Sequence, residues 1–363
     1  MMYGIDFGNH DSRAVALDSR GDAVIVQNRI DAKNEFPACV FFDQDGTIFT
    51  GDDAKKRGRL SPQRFVCCMK RGLSADENSV YDIDGAIWTQ EQAVVQILAV
   101  IRAAIEEFNG DTHPKAALTV PVVWTYTEKE CLRNAARKAG FSDVYLVSEP
   151  VAALLADGYN KNPTEETVLI FDLGGATLKL AAARLTVGRS KDGVPEQNGR
   201  IITVRGDETL GGMDWNYLLY DYILEQIECE WGIDRDEIAD QISPKLWDKT
   251  EHVMRSLSYR ESMNLRFTVD DQRITVRITK ADFLEITEHL VNKALGYVDD
   301  LLAGLEGQQI DRVCMLGGGS RIPGVREALE RRFPGKVQLK EEHLLAKGAA
   351  IAAAAAERSK ELN

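Results

Sequence analysis

The feature that most constrains this chain is a strand-loop-strand segment that occurs twice, at residues 3–12 and again at 168–181. In each copy an apolar strand ends at an aspartate, Asp6 or Asp172, and glycine follows two residues later. Glycine loops let backbone N–H groups come close to an anion. Two such loops, each beside an acid, predict two contacts with one polyphosphate and its metal ion. Two ordinary hairpins with glycine turns are the alternative.

A third glycine loop follows an apolar strand in the last quarter of the chain. Residues 312–316 are predicted to form a buried strand, and the glycine run 317–319 comes directly after it, ahead of a predicted helix. Backbone N–H groups at the start of a helix attract anions. This loop is therefore a third candidate for contact with phosphate.

The composition argues against two classes of partner. The 363 residues, 44% hydrophobic and 28% charged, are enough for two domains with full cores. The formal net charge is −13 and no basic run offsets it, so a nucleic-acid backbone is not expected as a partner. No stretch approaches the roughly eighteen apolar residues of a membrane span, and the N-terminus lacks a signal-peptide pattern, so a cytoplasmic protein is expected.

The cysteines and histidines show no spacing typical of a metal site. The chain has 6 cysteines and 5 histidines, and their scatter predicts reduced thiols and no zinc. The neighbouring Cys67 and Cys68 are predicted to pack in a strand rather than to form a redox pair.

The predicted elements are mixed α/β, and their plan occurs twice. In the first half, strands are predicted at 23–30 and 64–70, and a helix at 127–139 is predicted to be capped by Thr127. The second half repeats the strand, glycine turn and strand at 168–185, and the chain closes with an alanine-rich helix. Duplication of a whole lobe is the simplest interpretation.

Eight short motifs occur in order along nearly the whole chain. They are residues 4–8 (Gly-Ile-Asp-Phe-Gly), 69–72 (Met-Lys-Arg-Gly), 120–121 (Val-Pro), 148–153 (Ser-Glu-Pro-Val-Ala-Ala), 171–177 (Phe-Asp-Leu-Gly-Gly-Ala-Thr), 210–212 (Leu-Gly-Gly), 317–323 (Gly-Gly-Gly-Ser-Arg-Ile-Pro) and 348–350 (Gly-Ala-Ala). Together they resemble the nucleotide-binding domain of the seventy-kilodalton heat-shock chaperones (the DnaK type). That domain belongs to the superfold of actin, hexokinase and the heat-shock ATPases.

The resemblance implies a two-lobed α/β protein with the actin-like ATPase fold, built from duplicated ribonuclease-H-like lobes whose mixed sheets are flanked by helices. The expected first lobe is 1–165 with a peripheral insertion at about 38–113, and the expected second lobe is 166–345 with an insertion at about 212–287. Residues 346–363 are expected to form a helix that packs back on the first lobe.

The resemblance also implies ATP or ADP and Mg²⁺ as cofactors, held in a cleft between the lobes. Asp6 and Asp172 would hold the metal mainly through its water shell, because magnesium loses water reluctantly and prefers carboxylate and phosphate oxygens. Lys70 would reach the γ-phosphate and the attacking water, where a cation stabilises the charge on the transferred phosphoryl group. The expected catalytic residues are Lys70, Glu149, Asp172 and Thr177.

The remaining site residues are expected to hold the phosphates, ribose and adenine. Glu251, Arg255 and Ser258 are four and three residues apart, so they share one face of a helix. In the family that face holds adenine and ribose, and Arg321 is expected to stack on the adenine ring. The set is Gly8, Asn9, His10, Asp11, Gly174, Gly175, Ala176, Gly211, Gly212, Glu251, Arg255, Ser258, Gly317, Gly318, Gly319, Ser320, Arg321 and Glu342, the last standing where the family generally has an aspartate.

The chain departs from the family pattern at several other positions. Asn9 and His10 stand where the family has two threonines, and Ala176 replaces a third glycine, so weaker phosphate contacts are expected. Met254 stands where the family usually has a lysine that contacts the nucleoside. Lys179 replaces an acid associated with a monovalent cation, so its ammonium is expected to take over that charge, at a cost to hydrolysis rather than to binding.

The implied function is an ATP-binding and slowly hydrolysing switch domain of a DnaK-type chaperone or chaperone-like protein. A small-molecule kinase of the same superfold is less favoured, because neither a sugar-binding insertion nor an aspartate base is evident. A filament-forming or scaffolding actin-like ATPase stays open. Adenine nucleotide is the expected partner. The resemblance also implies a substrate-binding domain, a co-chaperone or a nucleotide-exchange factor as further partners, and whether the natural protein continues past Asn363 into a substrate-binding domain stays open.

Overall fold

The computed structural model describes the chain except for residues 19, 29, 31, 71–72, 74–79, 159–161, 163, 190–194, 270–271 and 362–363, and it describes the backbone alone at 80, 189, 195–197, 236–245, 248, 269 and 359–361. The chain forms two compact units. Unit 1 consists of Met1–Glu165, Arg184–Ile201 and Glu341–Asn363, and unit 2 consists of Glu166–Ala183 and Ile202–Lys340.

The helices lie between and beside the strands in both units, as expected for a mixed α/β chain. They are α1 (Gly51–Leu60), α2 (Gln90–Asn109), α3 (Tyr126–Lys138), α4 (Glu149–Gly158), α5 (Gly212–Trp231), α6 (Arg235–Leu257), α7 (Lys280–Ala303), α8 (Val325–Arg332) and α9 (Leu344–Glu361). Short 3₁₀ helices occupy Pro62–Arg64 and Gly318–Arg321. No helix in the described part of the chain is both long and apolar enough to cross a membrane.

Unit 1 is organised around its first strand. The strands of the segment up to Glu165 are β1 (Met2–Asp6), β2 (Asp11–Leu17), β3 (Ala23–Val26), β4 (Phe36–Pro37), β5 (Val40–Phe42), β6 (Ile48–Thr50), β7 (Phe65–Val66), β8 (Val80–Ile83), β9 (Ala86–Thr89), β10 (Lys115–Val120) and β11 (Asp143–Ser148). The main sheet has the order β11-β10-β1-β2-β3, with β4 paired to β2. Because β10 is parallel to both β1 and β11, the carboxyl ends of these three strands meet at one edge.

The alanine-rich helix α9 packs against β1, β10 and α4 within unit 1. Its small residues allow backbone to lie on backbone. A Cβ added at Gly348 would lie 1.8 Å from the carbonyl oxygen of Ala152 in α4, and one added at Gly4 would lie 1.9 Å from the carbonyl oxygen of Ala346. Only glycine fits at either position, so the Gly-Ala-Ala motif at the start of α9 serves packing.

The second sheet lies mainly in unit 2, which has its own buried core. The later strands of the chain are β12 (Thr164–Leu173), β13 (Leu178–Arg189), β14 (Pro195–Asp207), β15 (Ser262–Val269), β16 (Gln272–Thr279), β17 (Arg312–Leu316) and β18 (Val337–Leu339). The sheet order is β14-β13-β12-β17-β18, in which β17 is parallel to both β12 and β18. Strands β15 and β16 form a separate antiparallel hairpin.

Three local predictions are wrong. The strand predicted at 64–70 is only Phe65–Val66. It begins after Arg64 because Arg64 belongs to a 3₁₀ turn, and it ends before Cys68, which has a positive φ of 57°. Cys67 is consequently exposed and does not pack in a strand. The strand predicted at 23–30 ends at Val26, and Asn28 forms an antiparallel bridge with Lys33 instead, while residue 29 lies outside the described residues.

The predicted N-cap of α3 is also wrong, two residues too far along the chain. The cap is Thr125 rather than Thr127, and it forms a reciprocal capping box with Glu128. Thr127 fits the same Thr-x-x-Glu pattern through Glu130, so the sequence allows both registers.

Candidate functional site

The loop between β1 and β2 is a tight turn that requires glycine. A Cβ at Gly8 would lie 2.0 Å from the carbonyl oxygen of Asp11, and the N–H of Gly8 donates to the buried Ser12 hydroxyl at 3.3 Å. The side chain of Asn9 turns inward, where its Oδ1 accepts from the backbone N–H of Lys70 at 2.9 Å. Residues 8–11, which are predicted to contact phosphate, therefore form one compact loop. Through Asn9 this loop also holds the backbone of Lys70.

Asp6 stands at the end of β1, next to that loop. The hydroxyl of Thr119, at the end of β10, donates to Asp6 Oδ1 at 2.8 Å and accepts from the N–H of Phe7 at 3.3 Å. Burial raises the pKa of Asp6, and nearby Glu149 raises it further, while Lys70, Thr119 and Arg13 oppose the shift. A carboxylate that is costly to ionise in this position is well suited to a cation that supplies the missing charge.

Lys70 and Glu149 form a buried ion pair beside Asp6. Lys70 Nζ lies 2.5 Å from Glu149 Oε1, and the two side chains are only 5% and 7% exposed. Glu149 is the first residue of α4, directly after β11. Both groups act electrostatically on Asp6, so unit 1 brings together three of the predicted site residues.

His10 and Asp11 contribute a second charged cluster at the same loop. His10 Nδ1 lies 2.8 Å from Asp11 Oδ2, and Lys55 Nζ lies 3.4 Å from Asp11 Oδ1. Burial opposes ionisation of Asp11, but the contacts with His10, Lys55 and Arg13 outweigh it and hold the pKa of Asp11 well below its ordinary value. The side chain of Asp11 is thus engaged in ion pairs, and its backbone is the part left for a phosphate.

In unit 2 the loop between β12 and β13 meets the start of α5. The N–H of Gly174 donates to the carbonyl of Thr177 at 2.9 Å, which closes the turn. The carbonyls of Gly174 and Gly175 accept from the N–H groups of Gly212 and Met213 at 2.9 and 2.8 Å. A Cβ at Gly211 would lie 2.4 Å from the backbone N of Ala176, so these two loops are in direct contact.

The third glycine loop crosses the end of β12. Gly317 has a positive φ of 78°, and a Cβ there would lie 2.6 Å from Asp172 Oδ1 and 2.3 Å from the carbonyl oxygen of Leu173. A Cβ at Gly319 would meet the Leu173 side chain at 2.6 Å. Gly318 has open space around it. Asp172 therefore lies against a surface made of backbone, which is the kind of surface that can approach an anion closely.

The predicted nucleoside residues of unit 2 are joined by a direct contact. The Ser258 hydroxyl donates to the carbonyl oxygen of Arg321 at 2.7 Å, which ties the end of α6 to the third glycine loop. Arg255 and Glu251 form an ion pair of 2.7 Å across one helical turn. Ser320 is buried and donates to the carbonyl of Leu316, so its hydroxyl serves the loop itself.

Three of the predicted departures have clear positions. Met254 is 8% exposed in the apolar core of unit 2, so it offers no polar group to a nucleoside. Lys179 lies half-buried on β13, two residues after Thr177. Glu342 belongs to unit 1, where its carboxylate pairs with Arg13 at 2.9 Å.

Sequence reasoning missed several polar residues that shape the site. Thr119 and Ser12 are fully buried on strands and hold Asp6 and Gly8, and Gln90 is fully buried at the start of α2. An isolated threonine at the end of the apolar strand β10 was the available signal for Thr119. The contact between Thr119 and Asp6 could not be predicted from the sequence, because the two residues are 113 positions apart.

The donor sets fit a magnesium-bound nucleotide. No cluster of three or more His, Cys, Asp and Glu side chains that could hold a metal occurs among the described residues. Magnesium bound through its waters needs only one or two carboxylates together with phosphate oxygens. Asp6 in unit 1 and Asp172 in unit 2 each stand beside a loop where a Cβ on glycine would collide with backbone, so each carboxylate by itself fits one ligand position of that kind.

Two α/β units with glycine loops and an aspartate at the end of a central strand define a class, the nucleotide-binding ATPases of the actin-like fold. A comparison with protein families agrees with that class. The family model described as Hsp70 protein matches residues 74–362, which is more than half of the chain. The chain therefore belongs to the Hsp70 family, and it is an Hsp70-type nucleotide-binding domain. Asp6 and Lys70 precede the matched span.

Proposed function

We propose that this chain is an ATP-binding and slowly hydrolysing nucleotide switch of the DnaK type, acting with Mg²⁺ in a chaperone or chaperone-like protein. The observation that carries the proposal is the buried Lys70–Glu149 pair beside Asp6, at the edge of the sheet where β1, β10 and β11 end. A lysine that is nearly fully buried by its own fold is not a solvated surface residue. It is a fixed cation next to a loop that can hold phosphate.

In this proposal each residue has one task. Lys70 places its ammonium where negative charge develops on the transferred phosphoryl oxygens, and Glu149 fixes that ammonium and orients the attacking water. Backbone N–H groups of residues 8–11 and 174–177 hold the phosphates, and Arg321 covers the adenine. Magnesium, when bound near Asp6 and Asp172, would neutralise charge on the phosphates.

Slow turnover follows from the chain's own residues. The loop 8–11 carries the charged cluster of His10 and Asp11. Lys179 stands near the second glycine loop in sequence as a fixed ammonium. A fixed charge cannot adjust its distance as a bound ion can, so charge stabilisation in the transition state is expected to be incomplete. Binding of the ground state depends more on the glycine loops and is expected to be retained.

Calorimetry with Mg–ATP and Mg–ADP tests the proposal directly. We expect binding of both nucleotides by the unmodified protein, and binding at least tenfold weaker, about 1.4 kcal/mol, for Asp6→Asn. Asp299→Asn, which changes an exposed carboxylate on α7, serves as the matched control and should bind like the parent. Absence of heat with either nucleotide in folded protein would count against the whole proposal. ATP-dependent pelleting would instead favour the filament-forming alternative.

A further inference from the structure

The peptide bond that precedes Lys70 is held at both of its polar groups by side-chain amides. Its N–H, on Lys70, donates to Asn9 Oδ1 at 2.9 Å. Its C=O, on Met69, accepts from Gln90 Nε2 at 2.9 Å. One amide comes from the loop after β1 and the other from the first residue of α2, so this single peptide unit is gripped from two separate elements.

This arrangement takes the place of a β-ladder. Strand β7 ends at Val66, Cys68 has a positive φ, and Met69 and Lys70 lie in a turn rather than in one of the strands described. Met69 is fully buried, and a buried peptide group without partners would be costly. The side-chain amides of Asn9 and Gln90 satisfy the Lys70 N–H and the Met69 C=O, which make no ladder hydrogen bond in β7.

Gln90 is itself held in one orientation. It is fully buried, and its Oε1 accepts from the Tyr81 hydroxyl, so its Nε2 faces Met69. The helix that begins at Gln90 starts with a capping box between Thr89 and Gln92. A line of hydrogen bonds therefore runs from Tyr81 through Gln90 and the peptide to Asn9 in the loop.

We propose that Asn9 and Gln90 are positioning residues for Lys70. Glu149 fixes the tip of the lysine side chain, and the two amides fix its base, so a side chain with four rotatable bonds is held at both ends. This inference rests on the proposed function of Lys70 in hydrolysis. It assigns to Asn9 a task other than direct contact with phosphate, and it assigns a task to Gln90 and Tyr81, which the sequence did not single out.

A double-mutant cycle on single-turnover ATP hydrolysis tests the proposal. Asn9→Ala and Gln90→Met should each lower the rate roughly tenfold while the Kd for Mg–ATP changes by less than about twofold, because misplacement of a catalytic group acts on the transition state. In a Lys70→Ala background neither substitution should lower the rate further. Gln96→Met, the same change six residues further along α2, is the matched control and should behave like the parent.

Equal losses with and without Lys70, or unchanged rates in both variants, would overturn the proposal. Tyr81→Phe provides a milder test if Gln90→Met fails to fold, and it should lower the rate by a smaller factor in the same direction. Its loss should also disappear in the Lys70→Ala background.

Hydrogen exchange gives a readout that does not depend on activity. The amide of Lys70, followed at single-residue resolution, should exchange faster in Asn9→Ala and Gln90→Met than in the parent, because its acceptor or the opposite end of its peptide has been released. Unchanged exchange would overturn the proposed positioning whatever the rates. A parent protein that neither binds nor hydrolyses ATP would overturn the proposed function, and the exchange experiment would still decide on the contacts themselves.

Discussion

Lys70 and Glu149 form an ion pair inside unit 1. Both side chains are almost entirely buried, and removal of one partner from such a pair costs more than the pair contributes, because the other is left as an unbalanced charge. Asp6 shares the same surroundings, and burial is the main cause of its raised pKa, with nearby Glu149 adding to the shift and Lys70 opposing it. A cation placed beside Asp6 would therefore favour its ionised form.

Lys70→Ala should affect hydrolysis more than binding. We expect nucleotide affinity to stay within roughly tenfold of the parent, about 1.4 kcal/mol, while the single-turnover rate falls much further, since the ammonium acts mainly in the transition state. Calorimetry and rapid-quench kinetics measure the two quantities. Equal losses in both would place Lys70 in ground-state binding.

The same substitution should destabilise the nucleotide-free protein. We expect a loss of about 3 kcal/mol in the free energy of unfolding by urea, and partial recovery when Glu149→Gln is added, because a neutral amide needs no counter-ion. Lys115→Ala removes an exposed lysine from its pair with Glu357, and this control should cost much less than Lys70→Ala. No recovery in the double variant would show that the loss comes from packing instead.

Lys179 leads to a prediction about monovalent cations. If its ammonium lies near the phosphates, it repels potassium and supplies part of the same charge, because two cations a few ångströms apart in a partly buried site interact unfavourably. Single-turnover rates should then be equal in potassium and sodium buffers for the parent, and Lys179→Asp should gain a preference for potassium. A strong potassium requirement in the parent would place Lys179 away from the site.

At the scale of elements, the sequence was most informative where an apolar strand runs into a glycine loop. The strands around Asp6 and Asp172 and the strand before Gly317 are all present, since burial of an apolar run and a glycine turn are local properties. The clamp on the Met69–Lys70 peptide could not be predicted. Asn9 is 61 residues from Lys70 and Gln90 is 21 residues from Met69. A single asparagine and a single glutamine form no periodic pattern in the sequence that would indicate such contacts.

Asp207 joins the end of β14 to α7, and it predicts a pH dependence. Its carboxylate accepts from Lys293 Nζ at 2.7 Å, Tyr297 Oη at 3.0 Å and the N–H and hydroxyl of Thr209, each at 2.7 Å. Burial opposes its ionisation, but these donors outweigh burial and hold the pKa of Asp207 well below its ordinary value.

A lowered pKa in the folded state means that the stabilisation is present at neutral pH and is lost as pH falls below the ordinary carboxyl pKa. Asp207→Asn should therefore cost about 1.5–3 kcal/mol of unfolding free energy at pH 7, and the difference should stay level down to about pH 5 and shrink below it. Urea titrations across this range measure it. Asp299→Asn changes an exposed ion pair on α7, the helix that carries Lys293 and Tyr297, and should cost less than about 1 kcal/mol at every pH.

Two helical glycines should respond to the same substitution with opposite signs. Gly348→Ala places a methyl group 1.8 Å from the carbonyl oxygen of Ala152, so we expect a loss of several kcal/mol, on the order of 3, from overpacking. Gly296→Ala meets nothing within 4 Å on α7 and should stabilise by about 0.5–1 kcal/mol through helix propensity. Thermal melts of the two variants compare them directly, and equal effects would contradict the close packing of α9.

At the scale of the whole molecule, nucleotide binding should raise the melting temperature. A ligand that binds only folded protein stabilises it by about 2.7 kcal/mol at one hundred times its Kd. We expect this rise with Mg–ADP and Mg–ATP, a smaller rise when EDTA removes magnesium, and a smaller rise at the same nucleotide concentration in Asp6→Asn, whose binding is expected to be weaker. A rise of equal size in Asp6→Asn would place the metal elsewhere.

The position of α9 in the chain has a consequence for the order in which the protein folds during synthesis. The helix covers β1, β10 and α4, yet it is translated only after every residue of unit 2. Domains usually fold as they leave the ribosome, in order from the N-terminus. Here the first unit to be made must wait with one face of its sheet uncovered, at Gly4 and its neighbours, while the second unit is completed. Nascent chains arrested before residue 344 should therefore expose an apolar surface that a chaperone can recognise, and full-length chains should not.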